Sequence, residues 1–441
     1  MPEPRGTARD ILLRIERESA WAGPLLERAA GAFADPRDAA LTRELVLGVL
    51  RWRAGLDHVL ARFSRRPVAR LDPEVRATLR VGAYALLKLD RVPDFATVDR
   101  AVESIKRGPK RSAAGYVNAV LRQVARAGCE HWPPEPRPGD VGSLALAASQ
   151  PAWWVGKLVE REGWDAAVAL LNAANRPAGL TLKPHPGRTT SAALAGELVA
   201  AGRHCSPGRF APDALRLAPG EGVDLEPLRA GRAWAQDEAS QLVPALFGEH
   251  EGLLVDACAA PGGKALSLAA AGGGPVLACD LRAARLDLLR QNVRRTGLTN
   301  VLPLAADMTG PYPFRSPVAR ILVDAPCTGT GTMRRNPEIR WRLSPADPER
   351  LAALQSRLLD RAVAHAAPRA TIVYSVCSLE PEEGEGVVST FLQRHPGFVV
   401  ADARDFLPPA AHDLVNERGA METRPSQGID GFFAVRLDRG L

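Results

Sequence analysis

The C-terminal half of the sequence alternates between short apolar runs and segments with helical periodicity. After about residue 236 the apolar runs read GLLVDAC, PVLACDL, VLPLAADM, ARILVDAPC and ATIVYSVC. The helical segments read KALSLAAA, AARLDLLRQNVRRTG, ERLAALQSRLLDRAVAHA and EEGEGVVSTFLQRH. Strands that alternate with helices form βαβ units, so this pattern predicts an α/β domain with a mostly parallel sheet that is covered on both faces.

The rest of the chain has a different character. Up to about residue 130, apolar residues recur at spacings of three and four, as in LTRELVLGVLRWRAGLDHVLARF, which predicts an all-α bundle. The Pro-rich stretch HWPPEPRPGD at 131–140 predicts a boundary. Residues 141–235 mix helical pieces with the β-like run GLTLKP, which predicts a small α+β unit.

The positive charge of the chain is concentrated in the helical region. Residues 1–130 hold 24 lysines and arginines against 16 acids, and they include KRGPKR at 106–111. A basic module of this kind predicts a polyanionic partner, most simply nucleic acid. A solvated basic face without a partner is the alternative.

Composition excludes several other classes of protein. With 46% apolar and 24% charged residues, and no uncharged apolar stretch of about 18 residues, the chain is expected to be cytoplasmic and to make no membrane contact. The six cysteines show no C-x-x-C spacing, which predicts free thiols and no structural zinc site.

The stretch VDACAAPGGKALSL at 255–268 predicts a strand, a tight turn and the start of a helix. Gly262 and Gly263 remove side chains where the backbone must approach a ligand, and a helix start offers unpaired N–H donors. The next apolar run ends at Asp280, where an acid can accept hydrogen bonds from the two hydroxyls of a ribose. The loop therefore predicts a site for an adenosine-containing cofactor.

Four acids, Asp256, Asp280, Asp307 and Asp324, stand at the ends of consecutive apolar runs. Acids at one edge of a sheet suit a cationic ligand, which favours S-adenosylmethionine, a sulfonium without phosphates. The glycine spacing is not G-x-G-x-x-G, which disfavours a dinucleotide but leaves it open; helix capping is the alternative for one or two of the acids. Lys264, one of six lysines against 51 arginines, is predicted to contact the cofactor or a neighbouring acid.

Two cysteines follow strand ends on the same predicted edge. Cys327 lies in ILVDAPCTGTGTMRRNPEIRW and Cys377 lies in IVYSVCSLEPEE. One thiol in such a place is more often a packing residue than a catalyst. Two thiols beside Asp324, Pro326 and small polar residues favour nucleophilic chemistry.

Methylation at carbon 5 of cytosine would explain this combination. A thiolate that adds to carbon 6, while an acid protonates N3, makes the ring an enamine that attacks an activated methyl group. Loss of the C5 proton and of the thiolate then needs a base and can use a second thiol. Asp324 is predicted as the acid, provided that burial lets its carboxyl hold a proton. No histidine lies within the two cysteine motifs, which disfavours Cys-His hydrolase chemistry.

Further motifs occur in a recognisable order. They are RELVLGVLRW, LRVGAYALL, VNAVLRQ, WAQDEASQ, DACAAPGGK, DAPCTGTG with RRNPEIRW, YSVCS and DGFFAVRL. Over nearly the whole chain the sequence resembles the bacterial small-subunit (16S) ribosomal RNA cytosine-C5 methyltransferase B family (Sun/Fmu), within the NOL1/NOP2/Sun class of RNA methyltransferases. The resemblance implies a NusB-like helical RNA-binding domain at 1–132, a small α+β RNA-binding and linking domain at 141–235, and a Rossmann-like methyltransferase domain at 236–441.

The resemblance also implies roles for single residues. In this family the cysteine of the later motif is the nucleophile, so Cys377 would attack C6 and Cys327 would assist product release. DNA cytosine methyltransferases use instead the cysteine of a Pro-Cys motif, here Cys327, so the choice depends on the family. Val376 stands where the family usually has threonine, which removes a hydroxyl beside the nucleophile. The residues implied to bind S-adenosylmethionine are Cys258, Ala259, Ala260, Pro261, Gly262, Gly263, Lys264, Asp280, Asp307 and Asp324.

Contacts with small-subunit ribosomal RNA are expected from three regions. They are the basic helical domain, the 141–235 unit and the segment MRRNPEIRW, in which arginines can neutralise phosphates and Trp341 can stack on an unpaired base. A packed indole is the alternative for Trp341. A target cytosine must leave its stack to enter a pocket. The other candidate residues are Lys106, Arg107, Lys110, Arg111, Arg334, Arg335 and Arg340.

Two other functions are also compatible with the sequence. A nicotinamide-dependent oxidoreductase would use the sheet and Asp280 but would leave both cysteines unexplained. An RNA-binding or assembly factor with a degenerate catalytic domain would fit the NusB-like helices. The favoured prediction is an S-adenosylmethionine-dependent rRNA (cytosine-C5)-methyltransferase that needs no metal.

Overall fold

The computed structural model describes residues 3–89, 93–220, 225–249 and 251–440. The chain divides into two compact units, one of Met1–Arg176 with Arg335–Arg342 and one of Pro177–Arg334 with Leu343–Leu441. This division lies inside the predicted 141–235 domain. The helices of that domain up to Asn175 fall in the first unit, and its strands fall in the second.

The first unit is helical throughout its described residues, as predicted for the N-terminal region. Its α-helices are α1 (Pro4–Glu18), α2 (Ala22–Ala30), α3 (Pro36–Phe63), α4 (Pro73–Lys88), α5 (Asp94–Lys106), α6 (Ala114–Ala127), α7 (Val141–Ala147), α8 (Ala152–Glu162) and α9 (Trp164–Asn175). A 3₁₀ helix over Pro337–Trp341 also belongs to this unit.

Helices α3 and α4 show why these segments are helical where they are. Each starts with proline after an aspartate, and Asp35 and Asp72 accept backbone N–H bonds of 2.8 Å and 3.0 Å from two residues further on. The two helices approach closely at Gly48, because a Cβ there would lie 2.0 Å from Cζ of Tyr84. Glycine therefore sets the spacing of this core.

The second unit begins with a small antiparallel sheet. Its strands lie in the order β2-β3-β1-β4, and the α+β character predicted for this region is confirmed. The elements are β1 (Thr181–Pro184), α10 (Ser191–Ala200), β2 (Cys205–Pro207), β3 (Leu215–Leu217), α11 (Glu226–Arg229) and β4 (Ala233–Ala235).

The larger sheet of the second unit carries the predicted βαβ pattern. The elements are α12 (Glu238–Leu242), β5 (Leu254–Asp256), α13 (Gly263–Ala270), β6 (Val276–Asp280), α14 (Ala283–Thr296), β7 (Val301–Ala305), β8 (Val318–Asp324), α15 (Asp347–Ala364), β9 (Ala366–Val376), α16 (Glu385–Arg394), β10 (Phe398–Ala401), β11 (Met421–Thr423) and β12 (Phe432–Arg439). The strand order is β10-β12-β9-β8-β5-β6-β7, with β11 paired to β12. Strands β5 to β9 are parallel, and β12 runs antiparallel to β9.

Both faces of this sheet are buried, as the continuous apolar runs predict. Leu254 and Leu322 lie in one apolar cluster, and Val255 and Val323 lie in another. Successive side chains of a strand point to opposite faces, so each cluster covers one face. Among the helices described, none is long and apolar enough to cross a membrane.

Candidate active site

The four predicted acids lie at one edge of the large sheet. In the strand order β8-β5-β6-β7, Asp324, Asp256 and Asp280 are the last residues of the first three strands, and Asp307 follows β7 by two residues. These strands are parallel, so their carboxyl ends meet at the edge where α/β sheets bind ligands. Asp307 is exposed, and its hydrogen bonds with Thr309 hold its pKa below the usual value.

The loop between β5 and α13 needs glycine where the sequence places it. Gly262 has a φ of +112°, and a Cβ there would lie 2.3 Å from Cδ1 of Leu289. Helix α13 starts directly after Gly262 without a side-chain cap, so its first turn offers N–H donors to a ligand. The N–H of Ala260 donates to Oδ2 of Asp280 at 3.3 Å, which ties the loop to the next strand.

Asp256 is buried at this edge with one oxygen unsatisfied. The residue is 1% exposed, its Oδ1 accepts from the N–H of Cys258 at 3.3 Å, and its Oδ2 has no hydrogen-bond partner. Burial, and then the neighbouring Asp324, raise the pKa of Asp256 to about 8. A ligand that brings hydrogen-bond donors and positive charge would satisfy Oδ2 and would favour the carboxylate form of Asp256.

Lys264 and Asp324 form an ion pair beside this loop. Nζ of Lys264 donates to Oδ2 of Asp324 at 2.8 Å and lies 4.9 Å from the ring centre of Phe432. Oγ of Ser375 donates to the other oxygen of Asp324 at 2.7 Å. Lys264 thus contacts a neighbouring acid, one of the two contacts predicted for it. The side chain of Asp324 is 28% exposed, so a bound base can reach it.

The two cysteines face each other. Cys327 follows β8 by three residues, Cys377 directly follows β9, and their Sγ atoms are 3.4 Å apart. The contact with Cys377 and burial raise the pKa of Cys327, and the carboxylate of Glu383 adds to the effect. Cys327 therefore keeps its proton at neutral pH, and both thiols can act on one bound base.

Val376 does not face the nucleophile. It is 0% exposed and lies with Tyr374 in the apolar cluster on one face of the sheet, whereas Cys377 packs against the cluster on the other face. The alternation of side chains along β9 produces this separation. A hydroxyl at position 376 would point into apolar surroundings, away from Sγ of Cys377.

The sequence alone does not single out Glu383 and Gln355, yet both lie at the site. Each is 0% exposed, and Nε2 of Gln355 donates to Oε1 of Glu383 at 2.9 Å. The available signal is the run of acids in SLEPEEGE, directly after Cys377. A fully buried acid in such a run must be paired, but the sequence does not tell which acid is buried.

The basic segment at 106–111 is exposed in the first unit. Lys106, Arg107, Lys110 and Arg111 all face solvent. Lys106 and Arg107 lie 3.8 Å and 3.5 Å from carboxylate oxygens of Glu103, and Lys110 lies 2.8 Å from Asp72. Such exposed pairs are weak, so these cations can exchange partners with a phosphate.

The arginines of MRRNPEIRW differ from this pattern. In the second unit Arg334 is buried, donates to the carbonyl of Gly428 at 3.2 Å and lies 3.4 Å from Asp430. Arg335, in the first unit, is half-buried. The position of Arg334 contradicts its predicted phosphate contact, since its guanidinium serves internal acceptors.

Arg340 is an interior residue of the first unit. It is 0% exposed and donates to the carbonyls of Arg51 and Ser149, at 2.9 Å and 3.3 Å, and to Oδ1 of Asn175 at 2.8 Å. Burial lowers its pKa. The prediction of a phosphate contact is wrong for Arg340, because the 3₁₀ helix directs the side chain into the helical core.

Trp341 takes the packed position that was the alternative to base stacking. Its Nε1 donates to the carbonyl of Leu50 at 2.6 Å, and the guanidinium carbon of Arg53 lies 5.2 Å from its ring centre. The ring lines a cavity of about 410 Å³ in the same unit, together with Leu12, Val49 and others. One edge and one face of the indole are therefore already in use.

Comparison with known proteins identifies the family. A family model described as 16S rRNA methyltransferase RsmB/F matches residues 244–438, the NusB family model matches 2–126, and a RsmF/B-like ferredoxin-like domain model matches 150–224. The ribosomal RNA small subunit methyltransferase B of Thermus thermophilus is 36% identical over 445 residues, which cover 99% of this chain and 98% of that protein. The probable ribosomal RNA small subunit methyltransferase B of Bacillus subtilis is 31% identical and covers 98% of both chains.

The chain belongs to the RsmB/F family of 16S rRNA methyltransferases. The RsmB/F chain also has the fold of PH0851, whose crystal structure matches with a TM-score of 0.84 and 23% identity over 100% of this chain and 99% of that one. The resemblance inferred from the motifs and the three-part fold class are thereby confirmed.

Family membership settles the broad activity. The RsmB/F protein is an S-adenosylmethionine-dependent rRNA methyltransferase, and its partner is small-subunit rRNA. The glycine turn, the orphan oxygen of Asp256 and the carboxylate of Asp280 fit this cofactor. The nicotinamide-dependent oxidoreductase is set aside. Among the described residues, no group of three or more His, Cys, Asp and Glu side chains could hold a metal ion.

Proposed function

We propose that this RsmB/F protein methylates carbon 5 of a cytosine in 16S rRNA through a covalent bond between Sγ of Cys377 and carbon 6. The observation that carries the proposal is the pair of thiols, 3.4 Å apart, at the carboxyl ends of β8 and β9. Methyl transfer to a nitrogen or an oxygen needs no protein nucleophile. Transfer to C5 needs both addition and elimination, for which two thiols are suited.

The electron flow starts at Cys377. Its thiolate forms the S–C6 bond, the C5=C6 electron pair moves to C4–C5, and the C4=N3 pair moves to N3, which takes a proton. S-adenosylmethionine, when bound at the glycine turn, would supply the activated methyl group. C5 takes the methyl carbon with the C4=C5 electron pair, and the lone pair of N3 re-forms the C4=N3 bond. C5 then loses its proton to water, the C5=C6 bond re-forms, and the Cys377 thiolate leaves C6 as N3 gives up its proton.

Asp324 is the group that we assign to N3. Ser375 fixes one carboxylate oxygen, and the ammonium of Lys264 donates to the other. The Lys264–Asp324 pair can pass one proton to N3 and recover it when the adduct breaks down. The prediction of Asp324 as the acid depended on burial, whereas its side chain is 28% exposed and paired with an ammonium. We therefore assign the proton to Lys264, and Asp324 positions it beside N3.

The surroundings of Cys327 suit a role in product release. The contact with Cys377, burial and the charge of Glu383 raise the pKa of Cys327, so this thiol keeps its proton. A neutral thiol 3.4 Å from the nucleophile can donate a hydrogen bond to the sulfur of Cys377 as the S–C6 bond breaks. The resemblance to the family assigns the attack on C6 to Cys377, and Cys327 then assists release.

RNA is expected to meet the exposed cations of the first unit. Lys106, Arg107, Lys110 and Arg111 face solvent and have at most weak partners. The interior positions of Arg334 and Arg340 remove them from this set. Arg335 stays a candidate.

Base analysis tests the proposal directly. Unmodified small-subunit rRNA is incubated with the protein and methyl-labelled S-adenosylmethionine, then digested to nucleosides. Label is expected in 5-methylcytidine with the wild type and is expected to be absent with Cys377→Ser. Label in any other nucleoside would contradict C5 chemistry. Full complementation of a deletion strain by Cys377→Ser would instead support an assembly factor with a degenerate catalytic domain.

A further inference from the structure

A buried carboxylate ties together the two loops that carry the thiols. Oε1 of Glu383 accepts from the N–H of Thr328 and from Nε2 of Gln355, both at 2.9 Å. Its Oε2 accepts from the hydroxyl of Ser378 at 2.5 Å and from the hydroxyl of Thr328. The N–H of Thr328 also reaches Oε2, at 3.3 Å, so each oxygen of this fully buried side chain has at least two donors.

Apart from Gln355, the donors belong to the residues next to the thiols. Thr328 directly follows Cys327, and Ser378 directly follows Cys377. The hydroxyls of Thr328 and Ser378 also lie 2.9 Å from each other. Any shift of one thiol loop relative to the other must stretch a hydrogen bond to Glu383.

Gln355 holds the other side of the Cys327 loop. Its Nε2 also donates to the carbonyl of Pro326 at 2.9 Å, and its Oε1 accepts from the hydroxyl of Tyr374 at 3.0 Å. A carbonyl can only accept, so the contact with Pro326 fixes which way the amide points. The residues before and after Cys327 are thus held by one network.

The network requires a carboxylate. The N–H of Thr328 and the amide of Gln355 can only donate at these contacts, so Oε1 of Glu383 must accept twice. A glutamine has one accepting oxygen and would turn its amide hydrogens towards donors on the other side. Buried charge that is fully hydrogen-bonded is tolerated, whereas a mismatched amide leaves donors unpaired.

We propose that Glu383 is a positioning residue that fixes the Cys327 loop against the Cys377 loop and so holds the two thiols at the separation that product release requires. The purpose of this arrangement rests on the proposed C5 chemistry. The clamp itself, meaning the hydrogen bonds of Glu383 to Thr328, Gln355 and Ser378, does not depend on that chemistry. Glu383 is 0% exposed, so it acts through the loops and not by contact with solvent or RNA.

The clamp also affects the protonation of Cys327. The groups that act on this thiol are Cys377, Glu383, Tyr374 and the backbone amide of Gly329, while Gln355 is neutral. The negative charge of Glu383 disfavours the Cys327 thiolate. Removing that charge should therefore lower the pKa of Cys327 and make it more reactive towards an alkylating agent.

Alkylation of Cys327 tests the clamp without RNA or cofactor. Full-length wild type, Glu383→Gln and the control Glu417→Gln, an exposed glutamate of the same unit, are treated with iodoacetamide between pH 6 and pH 9. Peptide mass spectrometry follows Cys327. We expect roughly tenfold faster alkylation at neutral pH in Glu383→Gln and no change in the control. Equal rates in all three proteins overturn the proposal.

A second, milder variant tests the proposal in case Glu383→Gln does not fold. Thr328→Val removes one hydroxyl donor but keeps the charge of Glu383 and the backbone N–H. With rRNA as substrate, kcat is expected to fall about ten- to a hundredfold in Glu383→Gln and less in Thr328→Val, while KM for rRNA stays within about twofold. The covalent protein–RNA complex should accumulate in both.

The two proposals fail in different ways. If the wild type places no label in 5-methylcytidine, the proposal of methylation at C5 is wrong. The alkylation rate of Cys327 still tests the clamp in that case. If wild type makes 5-methylcytidine and folded Glu383→Gln shows wild-type kcat, the positioning role is wrong. A raised KM with an unchanged kcat also contradicts it, because a clamp between the thiols does not bind RNA.

Discussion

The carboxyl edge of the large sheet and the segment 335–342 use buried charge in opposite ways. At the edge, Asp256 is 1% exposed with Oδ2 unsatisfied, and its pKa is raised to about 8. In the segment, Arg340 is 0% exposed, but it donates to two backbone carbonyls and to Asn175. The carboxylate form of Asp256 is costly to bury, whereas the guanidinium of Arg340 supplies hydrogen bonds that its unit would otherwise lack.

The difference separates residues of the reaction from residues of the framework. Burial shifts the pKa of both groups, so their partners distinguish them: Arg340 donates to three internal acceptors, whereas Oδ2 of Asp256 is left for a ligand. A guanidinium whose donors are used inside a helical unit contributes to stability, even when its sequence context is basic. Substitutions at the edge should therefore change chemistry first, and substitutions in the segment should change stability first.

The largest effect is expected at the thiols. Cys377→Ala should lower methylation by more than about a thousandfold, because it removes the sulfur that is proposed to bond to C6. Cys327→Ala should keep the attack but slow release. Denaturing gels of each variant with labelled rRNA should show a stable covalent complex for Cys327→Ala and none for Cys377→Ala. The opposite pattern would mean that the roles of the two cysteines are exchanged.

The sequence could predict the edge because its information is local. Asp280 and Cys377 each end an apolar run, and parallel strands bring such ends together whatever their order in the sheet. Arg340 could not be placed, since its carbonyl acceptors on Arg51 and Ser149 lie 289 and 191 residues away in the chain. Spacing within a motif carries no information about partners at that distance.

The next largest effect is a loss of stability at Arg340. Arg340→Met keeps the length of the side chain but leaves the carbonyls of Arg51 and Ser149 and the amide of Asn175 without their donor. A loss of about 3 kcal/mol in the free energy of unfolding is expected. Urea unfolding followed by circular dichroism measures it, and the affinity of the folded variant for rRNA should be unchanged.

Arg107→Met is the matched control for this comparison. Arg107 is exposed and, among the residues that the structure describes, forms an ion pair only with Glu103, at 3.5 Å. Its substitution should change the free energy of unfolding by less than about 0.5 kcal/mol. It should also reduce the slope of log K for rRNA binding against log[salt] by about one unit. If Arg340→Met weakens rRNA binding and leaves stability intact, the interior role of Arg340 is refuted.

A smaller effect of opposite sign is expected at Asp256. The folded-state pKa of Asp256 is about 8 and its unfolded value is about 4, so the folded state binds more protons in between and stability falls as pH rises through this window. Asp256→Asn removes this loss. We expect the variant to match wild type to within about 0.5 kcal/mol at pH 4 and to be more stable by about 2 to 3 kcal/mol at pH 6.

Urea titrations of both proteins at pH 4, 6 and 8 provide the measurement. Parallel loss of stability with pH in the two proteins would show that Asp256 is not the group responsible. Asp256→Asn also allows a direct comparison with Arg340→Met, because both substitutions remove a buried ionisable group. Removing a buried charge should stabilise the protein at the edge and destabilise it in the segment.

The smallest effect is expected at Val376, where the sequence departs from the threonine usual in the family. Val376 lies with Tyr374 in an apolar cluster, on the face of β9 opposite to Cys377. Val376→Thr buries a hydroxyl there and should cost about 1 kcal/mol in unfolding free energy. Single-turnover methylation should stay within about twofold of wild type. A tenfold faster reaction would mean that the hydroxyl reaches the thiolate, and the face assigned to residue 376 would then be incorrect in the reacting enzyme.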